Sequence, residues 1–189
     1  MQLQQAIEIF KRTGVMQEGH FRFTSGRHSD NYMQCARLFE FPSDGVAVCF
    51  DVAAAFRDKG IDLVVGPALG GIIMAYEVAK LLNIRSIFAE RENGVMTLRR
   101  GFDVTNSHRA LVVEDVVTTG GSVKEVIELL RRNEVEVVGV GAVIDRSNGS
   151  VKFDVPFYAV ATMDLKSWEP EDCHLCKQGI PLMKPGSRS

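Results

Sequence analysis

The chain opens with apolar residues at helical spacing. Leu3, Ala6, Ile7 and Phe10 line one face and Gly14 follows as a stop, which predicts a short amphipathic helix. No period is sustained over residues 20–41, a stretch rich in Ser, Gly, His, Asp and Asn that reads as short strands joined by loops. Pro42, Ser43 and Asp44 then give a helix start ahead of Val46, Cys49, Phe50, Ala53 and Phe56, with Gly60 as its end.

From there the pattern turns regular. Residues 61–68 (IDLVVGPA) form a mostly apolar, β-branched run that leads through Gly70-Gly71 into a helix carrying Ile72, Ala75, Tyr76 and Ala79. Further strands are predicted at 84–89, 110–115 (ALVVED), 137–144 and 157–162, and a helix after Gly120-Gly121 presents Val123, Val126, Ile127 and Leu130. Strands that are continuously apolar, separated by helical stretches, predict an α/β fold with about five parallel strands covered on both faces. Alternation at Val95, Thr97, Phe102 and Val104 around Arg99-Arg100-Gly101 places an exposed hairpin or mobile loop at 91–109. The tail from Ser167 to Lys184-Pro185-Gly186-Ser187-Arg188 is too polar and too broken for another core element.

Length and charge narrow the picture. At 189 residues and about 150 per domain, one domain is expected: a core over 42–164, with 1–41 plus 165–189 as a hood and tail region. The 22 Lys+Arg against 24 Asp+Glu leave no basic excess for a nucleic-acid backbone or an anionic membrane. Neither a basic-then-apolar start nor a run of about 18 apolar residues is present, so a cytoplasmic protein is expected. Any bound anion must be captured by a shaped site.

The 4 cysteines are too few for a disulfide scaffold, and Cys35 and Cys49 fit buried, reduced thiols. Cys173 and Cys176, with His174 between them, supply half or three-quarters of a zinc site, which needs four ligands when closed. A thiol pair holding the tail, a zinc shared across a subunit interface, and redox control all stay open. The spacing of His20, His28, His108 and His174 nominates no metal cluster, and His28 could sit near a substrate.

Two strands end alike. Val64-Val65-Gly66-Pro67-Ala68-Leu69-Gly70-Gly71 and Val112-Val113-Glu114-Asp115-Val116-Val117-Thr118-Thr119-Gly120-Gly121-Ser122 each pass through glycines into a helix. In a parallel sheet both loops emerge at the carboxyl edge, where ligands bind at a switch point. Each offers unpaired N–H groups and the positive end of a helix dipole, so the two make anion cradles on a common cleft. In the second, Thr118, Thr119 and Ser122 add hydroxyls, while Gly120 and Gly121 let the backbone approach a phosphate. Glu114 and Asp115 precede that cradle directly. Carboxylates repel phosphate, so they make sense facing sugar hydroxyls, a bound Mg²⁺ or a cationic transition state, the layout of a phosphorylated ribose. Acids also end a strand that is merely leaving the core, but that does not account for the whole run. No G-x-x-x-x-G-K-[ST] occurs, and Gly139-Val140-Gly141 lies inside a strand, which disfavours a nucleoside triphosphatase or a Rossmann dehydrogenase.

LVVEDVVTTGGSV (111–123) resembles the phosphoribosyl pyrophosphate (PRPP) motif of the type I phosphoribosyltransferases. FTSGRHSDNY (23–32), VVGPALGG (64–71) and VIDRSNG (143–149) follow in the order used by the orotate phosphoribosyltransferases, and the C-terminal C-x-x-C segment is similar to a tail found in a subset of them. The resemblance implies the type I phosphoribosyltransferase fold with a small N-terminal hood. It also implies Mg²⁺-dependent transfer of ribose 5-phosphate from PRPP to orotate in pyrimidine synthesis, by a homodimer with shared active sites. By position, Glu114 and Asp115 would be catalytic and hold the ribose hydroxyls, with Mg²⁺ carried on PRPP near Asp115. PRPP would also meet Val116, Val117, Thr118, Thr119, Gly120, Gly121 and Ser122 around its 5′-phosphate, Leu69 and Gly70 in a pyrophosphate loop with a strained peptide, and Arg91. Thr118, Arg146 and Tyr32 would contact orotate. A guanidinium fork suits its carboxylate on chemical grounds as well; otherwise Arg146 is a surface charge ending a strand and Tyr32 a core residue.

The chain also departs from that pattern. Leu69-Gly70 stand where many of these enzymes carry a Tyr-Lys pair, and residues 84–108 hold no lysine, only Arg85, Arg91, Arg99 and Arg100. The rivals are transfer to another base, and a PRPP-sensing regulator, which should carry a basic, DNA-binding face.

Overall fold

The computed structural model describes residues 1–23 and 25–185. Thr24 of the FTSGRHSDNY segment and residues 186–189 of the tail lie outside the described residues. The opening helix is α1 (Leu3–Arg12), closed by Thr13 with Gly14 at positive φ. An antiparallel pair follows, β1 (Met16–Arg22) and β2 (His28–Met33), then a 3-10 turn over Cys35–Glu40 and α2 (Pro42–Phe56). The core runs β3 (Leu63–Pro67), α3 (Gly70–Leu82), β4 (Arg85–Glu92), β5 (Val95–Thr97), β6 (Arg109–Val117), α4 (Gly121–Arg132), β7 (Glu136–Asp145) and β8 (Phe157–Thr162). A single turn, α5 (His174–Lys177), lies in the tail.

The main sheet has the order β5-β4-β3-β6-β7-β8. Five of its strands are parallel, and β5 is an antiparallel edge strand beyond the expected set. Its turn is Asn93-Gly94, both at positive φ, a two-residue connection whose twist suits a hairpin. The turn therefore lies upstream of Arg99-Arg100, and Phe102 and Val104 do not form the second arm.

Continuous apolarity in the strands has the anticipated cause. Along β6, Leu111 and Val113 enter the core under α1, α2 and α3, while Ala110 and Val112 enter the core under α4. Helix α2 packs on β7 where Gly139 and Gly141 leave room: a Cβ on either would collide with Phe56 or Val52. The glycine pair inside that strand thus serves helix packing. Among the described residues, no helix is long and apolar enough to cross a membrane.

The order of strands places the site. From β3 the chain crosses to β4 on one side, and β6 returns to the other side of β3 before β7 extends the sheet further. The switch point lies between β3 and β6, whose carboxyl ends carry the 68–71 and 118–122 segments.

Candidate active site

At the end of β3, the Ala68 N–H donates to the Ala89 carbonyl at 2.7 Å, the Ala68–Leu69 peptide is cis, and the Leu69 side chain is 84% exposed. Helix α3 begins at the next residue. A Cβ on Gly70 would stand 2.5 Å from Asp115 Oδ1, so the first loop is seated directly on the acid pair.

Glu114 and Asp115 occupy the last part of β6, half-buried. The Asp115 carboxylate accepts from the Val116 N–H at 2.8 Å, and that of Glu114 from the Asp115 N–H at 3.2 Å. Burial, then the charge of Asp115, pushes the Glu114 carboxyl well above the usual carboxylate range, and burial raises Asp115 too. This site favours a proton until something that prefers the carboxylate arrives.

At the end of β6, Val117 is buried and can offer only backbone, and together with Glu114, Val116 and residues 118–122 it lines a crevice at the start of α4. Gly120 caps that helix at φ 73, and a Cβ there would lie 2.8 Å from Val151. Glycine is required on both counts. The opening N–H groups of α4 have no preceding helical turn to bond and are free for an anion.

Arg146 sits in the turn after β7. Asp145 accepts from the N–H groups of Ser147 at 2.8 Å and Gly149 at 3.3 Å, fixing the turn, and the Arg146 N–H donates to Val117 O at 2.8 Å. Its guanidinium lies 5.7 Å from the Phe23 ring, and its buried Nε has no hydrogen-bond partner among the described residues. Burial pulls the guanidinium down from its ordinary value, with Cys35 and Tyr32 within electrostatic reach. Cys35, pushed up by burial, also feels Asp115 and Glu114. Cys35 is thus within electrostatic reach of both Arg146 and the acid pair, and Arg146 of Tyr32. Asn31, beside Tyr32, holds another buried atom without a partner among the described residues, its Oδ1.

The remaining candidates are occupied elsewhere. Arg91 pairs with Glu125 on α4, through Nε at 3.1 Å and Nη2 at 2.7 Å, yet still acts on Glu114. Arg99 and Arg100 fold onto their own hairpin, pairing with Glu92 at 3.2 Å and Glu90 at 2.9 Å. His28 points instead toward the tail, its ring centroid 5.0 Å from that of His20. Asn31, Phe23 and Cys35 carry no spacing signal; only adjacency to Tyr32 in the SDNY run could have raised Asn31.

Comparison with known proteins fits this geometry. Residues 50–175 match the family model described as phosphoribosyl transferase domain. The orotate phosphoribosyltransferase of Thermotoga petrophila is 59% identical over 181 residues, 96% of this chain and 97% of that protein. That of Caldanaerobacter subterraneus subsp. tengcongensis is 53% identical over 188 residues, covering 100% of this chain and 99% of the relative. Among solved structures, the orotate phosphoribosyltransferase from Aeropyrum pernix superposes with a TM-score of 0.70 at 26% identity, over 82% of this chain and 92% of that one.

Proposed function

The chain belongs to the phosphoribosyltransferase family, and from that premise we propose how its residues divide the chemistry of the cleft. The reaction moves the ribose 5-phosphate of PRPP onto orotate, giving orotidine 5′-monophosphate and pyrophosphate. One observation carries the division of roles: Asp115 of the acid pair lies against Gly70 of the first loop, and the strand that carries both acids runs directly into the second at 118–122.

As pyrophosphate leaves, positive charge builds on the ribose ring and negative charge on the departing oxygens. Fixed charges and dipoles aimed at those positions lower the barrier, and the enzyme has little else to do beyond alignment. The amides and hydroxyls of Thr118, Thr119, Gly120, Gly121 and Ser122 hold the 5′-phosphate, with Val116 and Val117 supplying backbone. Glu114 and Asp115 take the ribose hydroxyls and, once ionised, lie beneath the cationic ring. Leu69 and Gly70 present N–H groups to the leaving pyrophosphate. Arg91 reaches PRPP by releasing Glu125. The Arg146 fork, its Nε unpartnered among the described residues, takes the orotate carboxylate, Tyr32 lies along the ring and Thr118 bonds its edge. The hard oxygen donors of Glu114 and Asp115 would suit Mg²⁺ carried by PRPP, which when bound would supply charge neutralisation on the pyrophosphate.

The same reading takes the enzyme to work in the cytoplasm as a homodimer. Leu69, Ile73 and Tyr76, all exposed along the start of α3, form an apolar strip beside the cleft that fits a second copy.

The test follows the loss of orotate's ultraviolet absorbance together with pyrophosphate release, in the presence of Mg²⁺ and PRPP, with adenine, hypoxanthine and uracil in parallel. Orotate alone should be consumed. Turnover of another base, or PRPP binding with no turnover at all, would overturn the assignment.

A further inference from the structure

Away from the cleft, four side chains from distant parts of the sequence converge: His20 on β1, His28 on β2, and Cys173 and Cys176 at either end of the α5 turn. Their ligand atoms all lie within 4.8 Å of one another, and three of the four residues are buried. His20 Nε2 is 3.2 Å from His28 Nδ1, 3.4 Å from Cys173 Sγ and 3.7 Å from Cys176 Sγ, while His28 Nδ1 is 3.3 Å from Cys176 Sγ.

Hydrogen bonding alone does not account for this cluster. His20 Nδ1 meets the Ile180 carbonyl at 2.8 Å, and a carbonyl only accepts, so Nδ1 carries the proton and Nε2 is bare. One lone pair then faces three neighbours. A single cation at the centre satisfies all of them. Tetrahedral zinc, with bonds of about 2.0 Å to nitrogen and about 2.3 Å to sulfur, separates two nitrogens by about 3.3 Å and nitrogen from sulfur by about 3.6 Å. The four separations given above, 3.2 Å between the nitrogens and 3.3–3.7 Å from nitrogen to sulfur, lie near those edges. Two thiolates and two neutral imidazoles around a divalent ion also leave no net charge in a largely buried place.

The surroundings are built to hold the ligands. The register of β1 against β2 shifts between Glu18 and Phe21, a bulge that re-aims His20. The His20 carbonyl accepts from the Met183 N–H at 2.8 Å, and both main-chain groups of His28 bond those of Trp168 at 2.8 Å. With Nδ1–H on Ile180, His20 has the fixed tautomer that an outer partner gives a metal-bound histidine. His174, the third candidate in the C-x-x-C segment, instead packs its ring 4.7 Å from Trp168.

We propose that His20, His28, Cys173 and Cys176 bind one zinc ion within a single chain, a closed structural site that fastens the hood hairpin to the C-terminal tail. All four positions are filled by protein, so the ion activates no water and takes no part in transfer. Its role is to brace the hairpin whose second strand carries Tyr32.

The test is metal analysis of the purified full chain by inductively coupled plasma mass spectrometry, which should find about one zinc per chain. Replacing zinc by cobalt should give the thiolate-to-cobalt charge-transfer band and the intense visible bands of tetrahedral coordination. Cys176→Ser, at an exposed position, should lose the metal, whereas His174→Ala should keep it. Should the serine variant fail to fold, the metal content and cobalt spectrum of the unaltered protein still decide. A Cys173–Cys176 disulfide by mass, one zinc per two chains, or reduced thiols with no metal would each overturn the proposal. None of these readouts depends on orotate turnover, so they separate this site from the reading of the cleft.

Discussion

Arg146 shows how one residue divides binding from chemistry. Its Nε is buried without a partner among the described residues, while Asp145 holds the turn that carries it, so the backbone of Arg146 is fixed before any carboxylate arrives. Losing a hydrogen bond to a charged group removes about 1.5–3 kcal/mol, so Arg146→Ala should raise the KM for orotate by about 10- to 100-fold. The KM for PRPP should change little; equal losses for both substrates would remove Arg146 from the orotate side. At Glu114 the observable is a proton. Burial raises its carboxyl, so between the ordinary value of about 4.3 and the raised one the folded protein holds a proton that the unfolded chain has released. In the ligand-free enzyme this contribution to stability therefore falls as pH rises through that window. Ribose hydroxyls and Mg²⁺ prefer the carboxylate, so PRPP should bind more tightly with rising pH and expel protons near neutrality. Calorimetry in buffers of different ionisation enthalpy reads that release directly, and Glu114→Gln should diminish it. Binding that is indifferent to buffer would contradict this role.

Among the elements, the decisive contact is between the loop after β3 and the strand beside it. Because a Cβ on Gly70 would stand 2.5 Å from Asp115 Oδ1, Gly70→Ala must displace the carboxylate or the loop. It should cut turnover by about 100-fold, the scale of removing one transition-state contact, and approach the loss in Asp115→Ala with native circular dichroism retained. Near-normal turnover would show that the two segments are not coupled. This juxtaposition is also where the sequence was most legible. Runs such as LVVED, buried on both faces, can only be central strands, and acids followed by hydroxyls and glycines at a strand end left few other uses. Elsewhere the local signal was weak or shared. Strand β5 has three residues, and its turn residues Asn93-Gly94 are less conspicuous than the Arg99-Arg100-Gly101 run a few positions on. His20 and His28 are eight residues apart with no helical or zinc-finger spacing, and only pairing with a tail some 150 positions away brings them to Cys173 and Cys176.

For the whole molecule, the exposed strip of Leu69, Ile73 and Tyr76 begins at the cleft itself. Light scattering should return twice the 20.9 kDa chain mass, and Tyr76→Glu should shift the population toward monomer; a monomeric native protein would refute the homodimer. The union of hood and tail has a consequence in time. A chain emerging from the ribosome presents β1 and β2 early, but Trp168 and Met183, whose backbones bond that hairpin, are among the later residues made. The sheet from β3 to β8 can close while the hairpin still lacks these partners. Translation that stops after β8 and short of Trp168 would then leave the 118–122 cradle on a complete sheet while the hairpin that carries Tyr32 lacks its bonds to Trp168 and Met183, a product expected to hold PRPP better than it turns it over.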